Sequence, residues 1–174
     1  MNTIETILTR HSVRQFDRRP IPQEALETIL RAGMSGPSCV NAQDWAFLVV
    51  RDKETLGKMA QGNGAPARPL LGADVGILIC GDLERSFPPA PDYWIIDGAI
   101  AAQNMVLAAA DLGIGSVWLG TYPEMERVRA QSALFGLPET IMPHSILALG
   151  YPAPGAAPGK EKVLPTGRVH YEHW

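Results

Sequence analysis

The sequence predicts an α+β fold, because short β-prone runs alternate with segments of helical periodicity along the whole chain. Four apolar runs are bounded by turn residues and are too short for helices; they lie at residues 45–50, 75–80, 115–119 and 145–149. A length of 174 residues fits one compact domain with a sizeable core. We therefore predict a single domain over residues 1–174, whose Pro/Gly/Ala-rich end forms an extended arm from residue 150.

Capping residues mark the predicted helices. Asn2 and Glu5 have capping-box spacing in front of an amphipathic run that ends at Thr9. Pro22 at a first turn and Gly33 after a last turn predict a helix over residues 22–32. Further helices are predicted at residues 53–61, 92–112 and 123–135, and a Gly/Pro-rich loop is predicted at residues 62–72. The helix over 92–112 is apolar nearly all round, which predicts burial in the core and against another subunit.

The composition narrows the class of protein. With 46% hydrophobic residues, 19% charged residues and a net charge of −3, the chain lacks the basic excess of a nucleic-acid-binding protein. No apolar run approaches the ~20 residues that cross a bilayer, and the first residues do not resemble a signal peptide, so we expect a cytoplasmic protein. The 2 cysteines and 4 histidines show no metal-ligand spacing.

A compact anion site is predicted at Arg10-His11-Ser12-Val13-Arg14. In an extended backbone, Arg10, Ser12 and Arg14 point to the same side. Two guanidinium forks and a hydroxyl match the oxygens of a phosphate. The alternative interpretation is a solvated basic loop.

Two further segments suit a flat heteroaromatic ligand. Ser38, Asn41 and Gln43 are uncharged donors and acceptors directly before a strand, although such residues also bond their own backbone. Gly120 ends a predicted strand and would let a backbone N–H approach a ring closely, but it could equally form the turn into the next helix.

The C-terminal arm carries a basic pair and an aromatic end. Lys160 and Lys162 form a second cationic pair, for which solvated surface is the alternative. The alternating, aromatic pattern over residues 169–174 needs a surface to bury against, so we expect it to add a strand to a sheet.

In this order, the segments resemble the nitroreductase family of FMN-dependent oxidoreductases. The motifs that carry the resemblance are R-x-S-x-R, Pro37-Ser38 through Asn41-x-Gln43-x-Trp45, Asp97 to Ala109 leading to Gly113-Ile114-Gly115-Ser116, Gly150-Tyr151-Pro152, the lysine pair, and Val169-His170-Tyr171 with Trp174. Together they span nearly the whole chain.

The resemblance implies a homodimer with a central mixed, mostly antiparallel four-stranded sheet flanked by helices. Its C-terminal arm would add a strand to the partner's sheet, and FMN would lie at the subunit interface. The implied activity is a ping-pong reaction. NADH or NADPH reduces the flavin, which then reduces a nitroaromatic compound, a quinone or a similar small acceptor.

The resemblance also assigns the cofactor contacts, with no catalytic side chain. The FMN phosphate and ribityl chain would be held by Arg10, Ser12, Arg14, Lys160 and Lys162, with His11 in the same region. Contacts with the isoalloxazine ring would come from Pro37, Ser38 and Asn41 of the second subunit. The backbone N–H groups of Leu119 and Gly120 would face flavin N5 and O4.

The chain departs from the family pattern at two places. Asp44 stands where the family usually has proline, and residues 62–72 lack the usual amide followed by a lysine near flavin N1 and O2. Arg68 is the candidate replacement, with Asn63 behind it. Two alternatives therefore stay open: a flavin-binding carrier or sensor with little turnover, and a dehydrogenase or other flavin chemistry on the same scaffold.

Overall fold

A computed structural model describes residues 2–156, 159, 163 and 167–174. Its strands are β1 (Trp45–Val50), β2 (Val75–Asp82), β3 (Gly115–Gly120) and β4 (Ile141–Gly150). They form one sheet in the order β1-β2-β4-β3, and all three pairings between them are antiparallel. The predicted four-stranded, mostly antiparallel sheet is confirmed.

Helices cover both faces of this sheet. They are α1 (Thr3–Thr9), α2 (Gln23–Met34), α3 (Lys53–Asn63), α4 (Tyr93–Asp111) and α5 (Met125–Phe135), with 3₁₀ turns over Cys39–Asn41 and Ala65–Leu71. Side chains alternate across the pleat, so Ile77 faces α2 and α4 while its neighbour Leu78 faces α3 and the second 3₁₀ turn. In the described part of the chain, none of the helices has the length and apolar character needed to cross a membrane.

Several predicted boundaries were wrong. Helix α2 continues through Gly33, which packs so closely on α4 that a Cβ there would collide with Met105. Residues 62–72 are not an open loop, because α3 extends to Asn63 and a 3₁₀ turn follows it. Helix α5 begins at Met125 rather than at Pro123.

The C-terminal arm is described only in part. Lys160 and Lys162 lie outside the described residues. Residues 167–174 form no strand within this chain, and the rings of His170 and Trp174 stack with centroids 4.6 Å apart. The side chain of Trp174 is fully exposed. The addition of a strand to a partner's sheet therefore stays a prediction.

Candidate functional site

The segment over residues 10–16 lies extended along the edge of the sheet. The N–H of Val13 donates to the carbonyl of Ser116 at the start of β3 (2.9 Å), and Ser12 forms a parallel bridge with Ser116. At the other end, Phe16 bridges Pro152. Main-chain bonds to β3 and to the residues after β4 thus fix the backbone of the predicted anion motif.

Two glycines allow this close approach. A Cβ on Gly115 would lie 2.8 Å from the Cβ of Val13, and a Cβ on Gly150 would lie 2.8 Å from the Cγ of Phe16. Real Cβ atoms do not tolerate such distances in a packed core. Close packing in this chain therefore explains the glycines in the motifs Gly113-Ile114-Gly115-Ser116 and Gly150-Tyr151-Pro152.

The arginines of the segment are available for a ligand. Arg10 caps the C-terminus of α1 and is half-buried, whereas Arg14 is exposed and donates only to the nearby carbonyl of Ser12 (3.3 Å). Neither guanidinium forms an ion pair with a carboxylate of the described residues. Two uncompensated cations on one rigid segment favour an anionic ligand.

The structure divides the predicted cationic residues between two hollows. Arg10 and His11 line a cavity of about 210 Å³ that also contacts Ser116. Arg14 and Arg68 line a second, more open hollow of about 590 Å³. The structure therefore brings Arg68 to the R-x-S-x-R segment although 54 positions separate it from Arg14 in the sequence.

The C-terminal arm passes close to the segment over residues 10–16. A Cβ on Gly159 would lie 3.0 Å from Nδ1 of His11, so the backbone of Gly159 is in contact with the imidazole ring. Gly159 directly precedes the basic pair in the sequence. The described part of the arm is thus placed beside the predicted anion motif.

Gly120 presents its N–H at the open end of β3. The N–H of Thr121 donates to His144 of β4 (3.3 Å), while the carbonyl of Ser116 accepts from Val13 on the opposite side. Alternation along the strand therefore directs the N–H of Leu119 toward β4 and that of Gly120 away from it.

Neither packing nor backbone strain explains a glycine at position 120. A Cβ on Gly120 would meet nothing within 4 Å, and its φ lies outside the left-handed region. The turn interpretation of Gly120 therefore loses its basis within this chain, and the open space remains for a ligand or a partner.

The carbonyl of Gly120 is held by two side chains. It accepts from Nδ2 of Asn63 (3.0 Å) and from Nη1 of Arg127 (3.1 Å). Asn63 is fully buried, and its Oδ1 accepts from the hydroxyl of Thr121 (2.8 Å). Asn63 was expected behind Arg68 as a cofactor contact; instead, both of its amide atoms bond to the end of β3. No local pattern predicts the role of Arg127, because this role depends on a contact across the fold.

A buried histidine supports the same strand end. The carbonyl of His144 accepts from Thr121 and Tyr122, and its Nε2 lies 3.0 Å from the carbonyl of Ile95 in α4. Burial lowers the pKa of His144, so the ring is neutral at neutral pH. The ring therefore fixes β4 against α4 without adding charge.

The loop before β1 is strained. Val40, Asn41 and Gln43 have φ of 46°, 59° and 50°, in the left-handed region, which asparagine tolerates but which disfavours glutamine and, above all, valine. The Oγ of Ser38 accepts from the N–H of Gln43 (2.9 Å), so the local-bonding alternative holds for this oxygen. Pro37, Val40 and Asn41 are exposed in the single chain.

Two buried carboxyl groups lie behind this loop. Oδ2 of Asp97 in α4 accepts from the N–H of Cys39 (2.9 Å), and Oδ2 of Asp44 accepts from the hydroxyl of Ser86 (2.9 Å). Asp97 is 2% exposed and Asp44 is 1% exposed. The sequence marked both positions, Asp97 as a polar residue on an apolar helix and Asp44 as a departure from the family pattern, but not their proximity.

Comparisons with known proteins agree with the resemblance. The model of the nitroreductase family matches residues 7–68 and 66–151. A protein of Methanothermobacter thermautotrophicus, provisionally named NADH dehydrogenase/NAD(P)H nitroreductase, is 40% identical over 176 residues, which cover 100% of this chain and 88% of that protein.

Solved structures share the fold. An FMN-dependent nitroreductase of Clostridium difficile superposes with a TM-score of 0.88 at 27% identity, covering 98% of this chain and 99% of that one. The NADPH:FMN oxidoreductase of Vibrio harveyi, solved in complex with NAD+, superposes with a TM-score of 0.87 at 29% identity and covers 100% of this chain and 78% of that one.

Proposed function

Because this chain belongs to the nitroreductase family, we propose that it is an FMN-dependent NAD(P)H oxidoreductase that reduces nitroaromatic compounds, quinones or similar small acceptors. The observation that carries the proposal is the placement of its groups along β3. The strand begins beside two uncompensated arginines and ends at Gly120, whose N–H points away from β4 and whose Cα faces open space. This arrangement suits a ligand with an anion at one end and a flat ring at the other.

The residues of the anion motif fit an FMN phosphate. Arg10 and Arg14 supply forked donors free of carboxylate partners in the described chain, and Ser12 supplies a hydroxyl between them. His11, Lys160 and Lys162 are proposed to add to this end, with the contact between Gly159 and His11 as support. Arg68, which shares a hollow with Arg14, is proposed as the cation nearest the ring.

At the other end of β3, Gly120 is the better donor to the flavin. Its N–H points away from β4, whereas the N–H of Leu119 points toward it, so we assign the contact with N5 or O4 to Gly120. Pro37, Ser38 and Asn41 are proposed to reach the ring of the partner subunit's FMN. FMN supplies the redox chemistry by taking a hydride from NAD(P)H and passing it to the acceptor. The chain binds and orients the flavin.

Exposed apolar side chains support the proposal of a homodimer. The exposed large apolar side chains of α1 and α4 are Ile4, Ile7 and Leu8 of α1 and Tyr93 and Ile96 of α4. Patches of this kind mark protein interfaces. We propose that two copies associate through these side chains, with one domain per chain, in the cytoplasm; light scattering and cell fractionation test these points.

The decisive experiment is a visible spectrum of the purified protein before and after denaturation, followed by anaerobic addition of NADH and of NADPH. We expect flavin bands that become those of free FMN on denaturation and that bleach with a nicotinamide. A colourless protein that takes up no added FMN would overturn the proposal. Bound flavin that neither nicotinamide bleaches would favour the carrier or sensor alternative.

Replacing Gly120 with alanine separates binding from folding. The added methyl meets no atom of the described residues within 4 Å, so thermal stability should stay unchanged while FMN affinity falls about tenfold as the ring is pushed away. Gly57→Ala is the matched control, because a Cβ there also meets nothing within 4 Å. Unchanged affinity in Gly120→Ala would remove Gly120 from the site.

A further inference from the structure

Asp44 and Asp97 form a buried carboxyl pair behind the loop over residues 38–43. Besides burial, the Asp44 carboxyl raises the pKa of Asp97 through its charge and through a side-chain hydrogen bond. Each uses its Oδ2 for a separate donor, Ser86 for Asp44 and the Cys39 backbone for Asp97. Oδ1 of Asp44 is buried and finds no donor among the described residues. Since two ionised carboxylates are both acceptors, their contact needs a proton.

We propose that Asp44 and Asp97 share one proton, which resides on Asp97, and that this pair positions the strained loop that contacts the partner subunit's FMN. In this arrangement the carboxylic O–H of Asp97 donates to Oδ1 of Asp44 and satisfies it. Asp97 is then a positioning residue that acts through Cys39. The role of the loop rests on the function proposed above, whereas the shared proton does not.

Ion pairs within the described chain do not stabilise a doubly ionised state of these two carboxyl groups. In the described chain, no Lys or Arg forms an ion pair with either carboxyl group. Burial raises the pKa of Asp97, and the Asp44 carboxyl raises it further against the lowering effect of the Cys39 N–H. The titratable neighbours are Cys39, whose pKa is raised by burial and by both aspartates, and the neutral His144, which packs on the next residue of α4, Gly98.

On the remaining side, Asp44 contacts the end of β2. Its carbonyl accepts from the N–H of Asp82, and Ser86 follows in the next turn of chain. Asp82 uses its own Oδ1 to accept from the N–H of Glu84. On this side, the residue bonded to Asp44 is therefore another acid.

Asp97 connects the loop to the rigid core. The N–H of Cys39, the first residue of the 3₁₀ turn Cys39–Asn41, donates to Asp97 of α4. Val40 and Asn41, which have positive φ, follow it directly. A strained backbone persists only where its surroundings hold it in place. If the proton were lost, the negative charges on Asp44 and Asp97 would repel each other where Cys39 bonds to Asp97. This repulsion would release the loop.

The test compares the wild type with Asp97→Asn across pH 4–9. An asparagine keeps both contacts without a titrating proton, because its Oδ1 accepts from Cys39 and its Nδ2 donates to Asp44. The carboxyl pKa is raised in the folded state, so the stability of the wild-type apoprotein should fall as pH rises above about 4 and level off above the folded pKa. Relative to Asp97→Asn, we expect the wild-type Tm to drop by about 3–5 °C for each unit of pKa difference.

FMN titration over the same pH range tests the positioning role. The dissociation constant of the wild type should rise with pH by about tenfold more than that of Asp97→Asn. Asp92→Asn is the matched control, because Asp92 is exposed at the start of the same helix and its side chain caps nothing; it should follow the wild-type profile. If Asp97→Asn does not fold, Asp44→Asn provides the same comparison, since it also leaves one carboxylate.

The outcomes separate the claims. Parallel Tm profiles of wild type and Asp97→Asn would overturn the shared proton. Diverging Tm profiles with parallel FMN affinities would overturn the positioning role. If neither protein binds FMN at any pH, the proposed function fails, while the Tm profiles still decide whether the pair holds a proton.

Discussion

The segment over residues 10–16 and the loop over residues 37–43 would contact the same cofactor, yet they are built in opposite ways. The segment is held by main-chain bonds to β3 and to the chain after β4, and two glycines make room for it. The loop contains three non-glycine residues with positive φ and is attached to α4 through the carboxyl group of Asp97.

The contrast indicates how the site is assembled. Each chain preforms its own anion-binding segment as part of the sheet edge, at little further cost when a ligand binds. The exposed, strained loop instead depends on side-chain chemistry, and we propose that it completes the partner's site. Substitutions that push the first region away from the sheet should therefore affect folding and binding together. Changes to its exposed side chains should affect binding alone, and substitutions in the second region should change stability and binding separately.

The largest effect is expected for Gly115→Ala. The new Cβ would lie 2.8 Å from Val13 and 3.1 Å from the carbonyl of Gly150, so the segment must move away from β3. We expect a loss of about 1–3 kcal/mol in the free energy of unfolding, measured in urea, together with loss of FMN. Gly57→Ala, which adds a methyl in open space, should not destabilise the protein. Full stability in Gly115→Ala would contradict the docking of the segment.

A smaller effect, confined to binding, is expected for Arg14→Ala. Arg14 is exposed and donates only to the local carbonyl of Ser12, so the urea midpoint should not change. Loss of a charge-assisted contact with the phosphate should weaken FMN binding by about 1.5–3 kcal/mol in a fluorescence titration. Arg31→Ala, on the exposed side of α2, serves as the control for charge alone. Equal affinities in the two variants would exclude Arg14 from the site.

The smallest effect, with the opposite sign, is expected for Val40→Gly. Glycine accepts the φ of 46° without strain, which offsets its greater freedom in the unfolded chain. The stability should rise by up to about 1 kcal/mol, while the FMN affinity falls slightly because the loop is less ordered. Val40→Asn, which tolerates the same φ, should keep the gain in stability and the affinity. A destabilised Val40→Gly would show that Val40 makes contacts that outweigh its strain.

Much of the fold follows from local patterns, but some boundaries do not. Apolar runs between turn residues predicted all four strands. The first part of β4 was missed because Pro143 lies inside it, and proline normally argues against an interior strand. The structure accommodates Pro143 opposite Cys80, where the register between β2 and β4 shifts. Such irregularities depend on the paired strand and leave no local signal.

The same division applies to the site. The alternation in R-x-S-x-R and the glycine at the end of β3 are visible in the sequence, because each follows from a local backbone rule. The bonds from Asn63 and Arg127 to Gly120 and the meeting of Asp44 with Asp97 bring together residues that are 7 to 57 positions apart. Only the packing of the helices on the sheet determines these contacts.

The strand order leaves β3 at an edge of the sheet, which has a consequence for the protein before it binds its cofactor. The bridge to Ser12 covers the start of this edge, and Asn63 and Arg127 occupy the carbonyl of Gly120. The edge between them, at Trp118, is left for flavin or a second chain to cover, and open edges pair readily with other strands. When newly made chains outnumber the available FMN, the chains without FMN would therefore be prone to aggregate. The supply of FMN would then determine how much soluble protein is obtained.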